Sequence, residues 1–394
     1  MKKALEGVKV LELGHVISGP YCSMLLGDMG AEVIKIERPK VGEFYRSEAL
    51  KNEAGISLVF PSYNRNKKSI TLNLKSERAK EIIFSLIRQS DIFVENYRPG
   101  LLKKMGLGYE DLKKVNPKLI MVSISGFGQT GPYANNIAYD MTISAISGFM
   151  SLNGEPGHPT KSGPAVSDFL SGIYGALAAL AALRHCQITG EGQFIDISMM
   201  ECMISIMDGF FAQSQYTGVE PTSTGNRRNN YAPVNAFLTQ DGYVYVAASM
   251  NKHWHNLLRL MDREDLIADE RYATPSLRKS HEAELEALVS AWTIQFSTID
   301  LVRALEDNEI PCAPVQTINQ VRTDPQVAAR GSLIELDYPG IGPYPMPRFV
   351  PLFSTMEIPK KNPPTLGEDN KEVYQELLVY NQEAYQKLLE DEVI

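Results

Sequence analysis

Short apolar runs alternate with amphipathic segments along the first part of the chain. Residues 8–13 and 31–36 are typical of buried strands, and residues 21–29 between them are typical of a helix that ends at Gly30. Three further strand-like runs follow, with helical segments between them, at 69–74, 91–95 and 119–123. Repeated βαβ units of this kind predict an α/β fold with a mostly parallel sheet covered by helices.

Longer helical patterns follow these units. Residues 169–185 predict an Ala-rich helix whose small side chains allow close packing, and residues 193–198 return to the sheet as a strand. Residues 199–215 predict a further helix, and residues 370–389 predict a final amphipathic one.

A change of pattern after residue 215 indicates a second domain. Residues 216–235 are polar and dense in Gly, Asn, Arg and Thr, which is typical of a linker or an active-site loop. A hairpin pattern around Asp241-Gly242 then opens a region of helices with charged faces. We expect a large domain of residues 1–215 and 332–394, a linker at 216–235, and a small domain at 236–331.

Composition and charge exclude several classes of protein. A net charge of -8 gives no general attraction for nucleic acid, so neither DNA nor RNA is an expected partner. The most apolar stretch, 170–183, has about 14 residues, whereas a helix needs roughly 20 to cross a bilayer. The N-terminus carries charge at Glu6 and Glu12 and lacks the apolar run of a signal peptide. We therefore expect a cytoplasmic protein with no membrane partner.

The distribution of cysteines and histidines does not favour a metal site. The four cysteines are far apart and form no CxxC pair, which is typical of reduced thiols. His253 and His255 are two residues apart, too close in sequence to share one helix face, and no third ligand follows them. No metal is expected.

A glycine-rich run at 126–131, GFGQTG, matches the dinucleotide-binding pattern in spacing alone. Pro132 and Tyr133 follow it, so no helix opens there, and the run lies after a late strand instead of in the first βα turn. A nicotinamide dehydrogenase stays an alternative, but a glycine-rich turn of another purpose is favoured.

Basic residues near the predicted strand ends are candidates for a phosphate site. Arg38, Lys75, Arg98, Lys103 and Lys104 lie after or beside strands, on the carboxyl side where open α/β sheets bind ligands. They form either a phosphate cradle or a scattered basic surface, and their spacing does not distinguish the two.

Asp168 stands immediately before the predicted helix 169–185. Its ordinary role there is a helix N-cap. The alternative is a nucleophile, because the positive end of a helix dipole favours an ionised carboxylate, which can attack at neutral pH.

Several longer segments together carry more information than any of these patterns: LEGVKVLELGHVISGP, LGDMGAEVIKIERP, NRNKKSITLNLK, VENYRPGLLKKMGLGYEDLKKVNPKLI, SGFGQTGP, SDFLSG around Asp168, TGEGQFIDISM and EIPCAPV. They resemble the class III coenzyme A-transferases, the family that includes formyl-CoA:oxalate and carnitine-type CoA-transferases. The resemblance covers nearly the whole chain.

The resemblance implies a large Rossmann-like domain with a parallel sheet, a smaller α+β domain, and an interlocked homodimer in which the small domain of one subunit completes the site of the other. It implies acyl-CoA and a carboxylic acid as substrates, no prosthetic group, and Asp168 as the catalytic residue that forms an anhydride and then a CoA thioester. The positions that match the family's CoA site are His15, Ile17, Ser18, Arg38, Leu72, Asn73, Lys75, Asn96, Tyr97, Arg98, Lys104, Met105, Asn136, Ile137 and Tyr139.

Three departures from the family limit the transfer of detail. Lys104 replaces an Arg, which keeps the charge but loses the bidentate fork. Ile17 stands where the oxalate enzymes carry a Gln, so oxalate is not an expected substrate, and their glycine-rich lid run is missing near Met250. The related α-methylacyl-CoA racemases are an alternative, although Tyr139 occupies the position of their catalytic histidine. A non-catalytic acyl-CoA-binding protein is another.

Overall fold

The computed structural model describes residues 3–394. These residues form two compact units. The large unit comprises the chain up to Phe149 together with Ser162–Phe211 and Ala329–Ile394, and the small unit comprises Met150–Lys161 and Ala212–Ala328.

The segment Met150–Lys161 groups with the small unit, whereas the sequence assigned it to the large domain. Hydrogen bonds to its backbone from other residues of the small unit are the reason. Gly154 O accepts a hydrogen bond from Gly225 N at 2.8 Å, and Glu155 O accepts one from Ser223 Oγ at 3.0 Å.

A six-stranded parallel sheet forms the centre of the large unit and confirms the predicted α/β class. Its strands in chain order are β1 Lys9–Leu13, β2 Glu32–Glu37, β3 Lys67–Thr71, β4 Ile92–Glu95, β5 Ile120–Ser125 and β6 Phe194–Ser198. They lie in the order β3-β2-β1-β4-β5-β6. Strands β4 and β5 carry mostly apolar side chains, as expected for strands whose two faces are covered by helices.

The helices of the chain are listed here in order: α1 Ser18–Asp28, α2 Phe44–Ser47, α3 Ala79–Ile87, α4 Leu101–Lys104, α5 Tyr109–Val115, α6 Asp140–Ile146, α7 Val166–Thr189, α8 Met199–Ser205, α9 Phe210–Thr217, α10 Asn251–Leu260, α11 Pro275–Ser280, α12 Glu282–Thr293, α13 Thr298–Asp307, α14 Ile318–Thr323, α15 Pro325–Ala329 and α16 Gln382–Glu390. Helices α1 and α7 cover one face of the sheet, and α3 and α5 cover the other.

Two predicted helices are shorter than their patterns indicated. The helix expected at 199–215 is divided into α8 and α9, with Asp208 between them at φ 47°. The helix expected at 370–389 is a π-helical turn, Glu372–Leu377, followed by α16, with Val379 between them at φ 59°. Left-handed residues interrupt a helix, and apolar periodicity does not reveal them.

Helix α7 packs closely against α1 through small residues. A Cβ placed on Gly172 would lie 3.0 Å from Ser18 O, and one on Gly175 would lie 3.0 Å from Cys22 Sγ. With 24 residues, α7 is longer than the helix predicted at 169–185, and by length and composition alone it is long and apolar enough to cross a membrane. Its buried face belongs to the core under the sheet.

The small unit has its own hydrophobic core. Strands β7 Val234–Leu238, β8 Tyr243–Ala247 and β9 Cys312–Pro314 form an antiparallel sheet, and the predicted Asp241-Gly242 hairpin joins the first two. In the large unit, β10 Leu333–Tyr338 and β11 Gly342–Pro347 form a hairpin.

Charged side chains from β1, β2 and β3 are buried together within the large unit. Glu12 Oε1 accepts from Lys35 Nζ at 2.6 Å, and Glu12 Oε2 lies 2.8 Å from Lys67 Nζ. All three side chains are fully buried. Burial alone raises the pKa of Glu12, but the attraction of the two lysines outweighs it and lowers the pKa to about 2.

We expect Glu12→Gln to lower the free energy of unfolding of the large unit by about 3–5 kcal/mol, because it removes the carboxylate that pairs with two buried ammonium groups. Denaturant unfolding at pH 7 measures the change. Glu6→Gln, at an exposed position of the same unit, is the control and should change stability by less than about 0.5 kcal/mol. Equal stability of the two variants would show that the buried pairs do not hold the fold.

Candidate active site

The carboxyl ends of β1, β4 and β5 open into a cavity of about 350 Å³, which is within the size range of small-molecule sites. Helix α7 contributes Asp168 to its wall, and residues 134–139, before α6, contribute five residues. The cavity is lined by His15, Val16, Ser18, Asn96, Tyr97, Arg98, Pro99, Leu101, Ile124, Ser125, Gly126, Ala134, Asn136, Ile137, Ala138, Tyr139, Asp168 and Met199.

The cavity brings together many of the residues predicted from sequence. Those that line it are Asp168, His15, Ser18, Asn96, Tyr97, Arg98, Asn136, Ile137 and Tyr139. The other predicted residues lie outside its lining: Ile17, Arg38, Leu72, Asn73, Lys75, Lys104 and Met105. Among these, Ile17 and Leu72 are buried, while Arg38, Lys75 and Lys104 are exposed.

Sequence reasoning missed several residues of the lining. Ser125 is the last residue of β5 and Gly126 follows it, so the strand-end rule that selected Arg98 would have found them. No local signal marks Met199, which reaches the cavity because α8 begins there.

Asp168 lies in the first turn of α7, and Ala165 occupies the N-cap position without a side-chain bond. The N-cap role expected from the sequence is therefore wrong, because the helix begins earlier than its apolar pattern. Burial and then the charge of Asp140 raise the Asp168 pKa to about 7, and hydrogen bonds from the Ser18 side chain and backbone N–H oppose that rise.

Asp140 is held by the residue that precedes Asp168. Its Oδ1 accepts from both the Ser167 N–H and the Ser167 hydroxyl, each at 2.8 Å. The Asp140 carboxylate is thus held at the start of α7, where its charge raises the pKa of Asp168.

The turn after β1 is fixed from several directions. Lys35 Nζ donates to Gly14 O at 2.9 Å, and Lys67 Nζ donates to Pro20 O at 2.7 Å. Glu43 accepts from the N–H of Val16, a β-branched residue at φ 66°. Left-handed backbone is unusual at such a residue and persists where its surroundings impose it.

His15 is uncharged at neutral pH. Burial, followed by the charge of Lys35, lowers its pKa to about 4. Its ring lies 5.1 Å from that of Tyr97, and its backbone exchanges two hydrogen bonds with the Asn96 side chain. The imidazole is therefore a neutral part of the wall.

The glycine-rich run GFGQTG forms a turn after β5, and no helix opens directly from it. A Cβ on Gly126 would overlap Ala138, so the glycine allows the segment that carries Tyr139 to close over the strand end. The run therefore shapes the cavity wall. Within residues 3–394, no group of three or more His, Cys, Asp or Glu side chains is arranged to hold a metal ion.

Comparisons with known proteins agree with this geometry. The family model described as CoA-transferase family III matches residues 5–370. A succinyl-CoA–D-citramalate CoA-transferase of Chloroflexus aurantiacus is 36% identical over 379 residues, 95% of this chain and 94% of the relative. A succinyl-CoA:glutarate CoA-transferase of Homo sapiens is 35% identical over 394 residues, 100% of this chain and 90% of the relative.

A solved structure of a CAIB/BAIF family protein from Brucella suis superimposes with a TM-score of 0.88 at 35% identity, over 96% of this chain and 100% of that one. The match of the family model to nearly the whole chain, joined to relatives this similar in sequence and structure, confirms the resemblance found in the sequence: the chain belongs to CoA-transferase family III.

Proposed function

We propose that this CoA-transferase moves coenzyme A from an acyl-CoA to a carboxylic acid through covalent intermediates on Asp168. Transfer of CoA between carboxylic acids is the activity of the family. The observation that carries the assignment of the nucleophile is the position of Asp168, whose carboxyl group lies in the wall of the cavity at the carboxyl edge of the sheet.

The relatives favour a class of substrate. The names of several of them contain succinyl-CoA as the donor, and glutarate, mesaconate or D-citramalate as the acceptor. All three acceptors are dicarboxylic acids of five carbons. We therefore propose succinyl-CoA as a donor for this chain and a small dicarboxylic acid as its acceptor.

The reaction proceeds in two symmetrical halves. The Asp168 carboxylate attacks the thioester carbonyl, and the C–S bond breaks to give a mixed anhydride and CoA thiolate. The thiolate attacks the Asp168 carbonyl carbon, forming an aspartyl-CoA thioester and releasing the donor acid as its carboxylate. The acceptor carboxylate then repeats both steps in reverse. Each covalent stage replaces one difficult exchange by two easier ones.

The CoA portion is proposed to run from Asp168 past the β1 and β4 turns. Arg98, Asn96 and His15 lie in the same cavity as Asp168, and Arg98 supplies a positive charge there. The exposed Arg38, Lys75 and Lys104 lie outside the cavity and are proposed to contact the phosphates. Leu72 and Ile17 are buried in this structure.

Racemisation is the weaker alternative. The relatives are named CoA-transferases, and the cavity position expected to carry a catalytic histidine is Tyr139. His15 is the histidine in the cavity lining, and its lowered pKa keeps it from acting as a charged acid at neutral pH.

An interlocked homodimer in the cytoplasm remains part of the proposal. Support comes from exposed apolar side chains on α7, where Ile173, Leu177 and Ile188 are 45%, 59% and 68% exposed. Exposed apolar side chains along one helix are typical of an interface.

We expect Asp168→Asn to reduce CoA transfer by at least about a thousandfold, because an amide is a poor nucleophile, while CoA binding is largely kept. Incubation of the wild type with succinyl-CoA and hydroxylamine should give a hydroxamate at Asp168, detected by mass spectrometry of its peptide. Asp111→Asn, a substitution outside the cavity lining, is the matched control and should transfer CoA at the normal rate. Full turnover by Asp168→Asn would overturn the mechanism.

The pH dependence follows from the raised pKa of Asp168. Only the carboxylate attacks, so kcat/KM should rise as the pH increases through about 7. Asp140→Asn removes a repelling charge and should move this midpoint to lower pH, since it makes Asp168 easier to ionise. Initial rates between pH 5 and 9 measure both midpoints; an unchanged or higher midpoint in Asp140→Asn would contradict the assignment.

A further inference from the structure

The small unit contains a cavity of about 890 Å³ that the proposed reaction does not use. It is lined by Arg228, Tyr231, Val234, Tyr245, Ala247, Ser249, Met250, Asn251 and Pro275. One cationic side chain is therefore present in the lining, and neither an Asp nor a Glu is. In a protein with a net charge of -8, a cavity that holds a positive charge and no carboxylate favours an anion.

The turn that carries Arg228 is held in place by hydrogen bonds to its backbone. Lys279 Nζ donates to Arg228 O at 2.9 Å, and Tyr245 Oη donates to Asn226 O at 3.1 Å. Arg228 also forms an antiparallel bridge with Tyr231 across the turn. The guanidinium is thus carried by a fixed piece of backbone, which lowers the entropy lost when it binds a ligand.

The side chain of Arg228 is exposed and has no carboxylate partner. Its cationic neighbours are paired: Lys279 contacts Glu282 at 2.7 Å. Arg227 contacts Glu286 at 2.9 Å. Across residues 3–394, no acidic side chain lies within 4.0 Å of the Arg228 guanidinium. Its fork of N–H groups can therefore bind the two oxygens of a carboxylate from outside the chain.

A second guanidinium lies directly behind the wall of this cavity. Arg278 is fully buried, and its Nη1 donates to Asn251 Oδ1 at 2.8 Å. Its Nη2 donates to Ser249 O at 2.9 Å. Asn251 and Ser249 both line the cavity. The other bonds of Arg278 go to the backbone oxygens of Ala232 and Tyr272.

The four acceptors around Arg278 are uncharged, so no ion pair within the described residues neutralises its positive charge. Burial lowers its pKa to about 10, which leaves the guanidinium charged at neutral pH. Buried charges are normally paired, because an isolated one is costly. An anion in the cavity supplies the missing negative charge from the other side of Ser249 and Asn251.

The rest of the lining favours an organic acid over an inorganic anion. Val234, Ala247, Met250 and Pro275 contribute apolar surface to the cavity. A carboxylic acid has a carbon chain that such surface can contact while its carboxylate is held by a polar group. Inorganic phosphate has no apolar part, so this surface leaves its remaining oxygens without hydrogen-bond donors.

We propose that this cavity is a binding site for a small carboxylic acid, in which Arg228 holds the carboxylate by a bidentate ion pair and the buried Arg278 adds a second positive charge. The proposed function supplies a ligand of this class, because its acceptor is a small dicarboxylic acid. The site itself is separate from Asp168, and binding there forms no covalent bond.

The test is isothermal titration calorimetry of glutarate with the full-length protein in the absence of acyl-CoA. Arg228→Gln should weaken glutarate binding at least about tenfold, because it removes charge-assisted hydrogen bonds to the carboxylate. Arg303→Gln removes the same charge from an exposed position on α13 outside the cavity lining, and it should bind glutarate as the wild type does. Equal affinity of Arg228→Gln and the wild type would overturn the proposal.

Arg228→Lys separates the geometry of the fork from its charge. An ammonium group keeps the charge but offers no bidentate contact, so the affinity for glutarate should lie between those of the wild type and Arg228→Gln. Thermal unfolding of each variant accompanies the titrations. Unchanged unfolding temperatures show that the weaker binding comes from the altered side chain, whereas loss of binding only in variants that unfold early would overturn the assignment to Arg228.

Inorganic phosphate and butyrate identify the class of ligand. Butyrate has a carboxylate on an apolar chain and should depend on Arg228 as glutarate does. Phosphate that binds as tightly as glutarate, with the same dependence on Arg228, would overturn the assignment to an organic acid.

The titrations also distinguish this inference from the proposed function. Asp168→Asn should bind glutarate at the Arg228 site with unchanged affinity, since Asp168 belongs to another cavity. Full turnover by that variant would overturn the proposed function alone. Loss of the Arg228 effect on glutarate binding would overturn the carboxylate site alone.

Discussion

The paired burial of Glu12 with Lys35 and Lys67 is the constraint on which the site depends. The Glu12 carboxylate neutralises part of the charge of the two ammonium groups. Each lysine also donates a hydrogen bond to a backbone carbonyl near the cavity. Lys35 holds Gly14 O and Lys67 holds Pro20 O. The turn between these two residues carries His15, Val16 and Ser18, so the charges inside the sheet determine the geometry of its edge.

Additional contacts complete the same turn from neighbouring elements. Glu43 fixes the left-handed Val16, and Asn96 spans His15 and Ser18. Polar groups on rigid strands and their immediate ends hold a site more accurately than a free loop does. The turn is therefore prepared before any substrate binds, which is what stabilisation of a developing charge requires.

The electrostatics of Asp168 reflect opposing demands on a nucleophile. Burial and Asp140 favour its neutral form, whereas the hydrogen bonds of Ser18 favour the ionised form. A pKa near 7 leaves a substantial fraction ionised while keeping the carboxylate more basic than a solvated one, which suits a group that must first attack and then leave.

The sequence by itself determined the α/β class, the order of strands and helices, and the family. These follow from local patterns, since strands buried on both faces must be apolar and helices that cover them must be amphipathic. Through the family resemblance it also selected Asp168 and much of the cavity lining. It misplaced the start of α7 and the break at Asp208, since helix ends depend on backbone angles that apolar periodicity does not reveal.

Only the tertiary structure decided which distant residues meet. The strand order β3-β2-β1-β4-β5-β6 places Glu12 on β1 beside Lys35 on β2 and within reach of Lys67 on β3. The approach of α1 to α7 brings Ser18 close to the part of α7 that carries Asp168 and Gly172. The turn after β4 brings the Asn96 side chain to the backbone N–H and carbonyl of His15. The residues in these contacts lie tens of positions apart in the sequence. Their hydrogen-bond partners and pKa shifts depend on burial, which a single segment of sequence does not reveal.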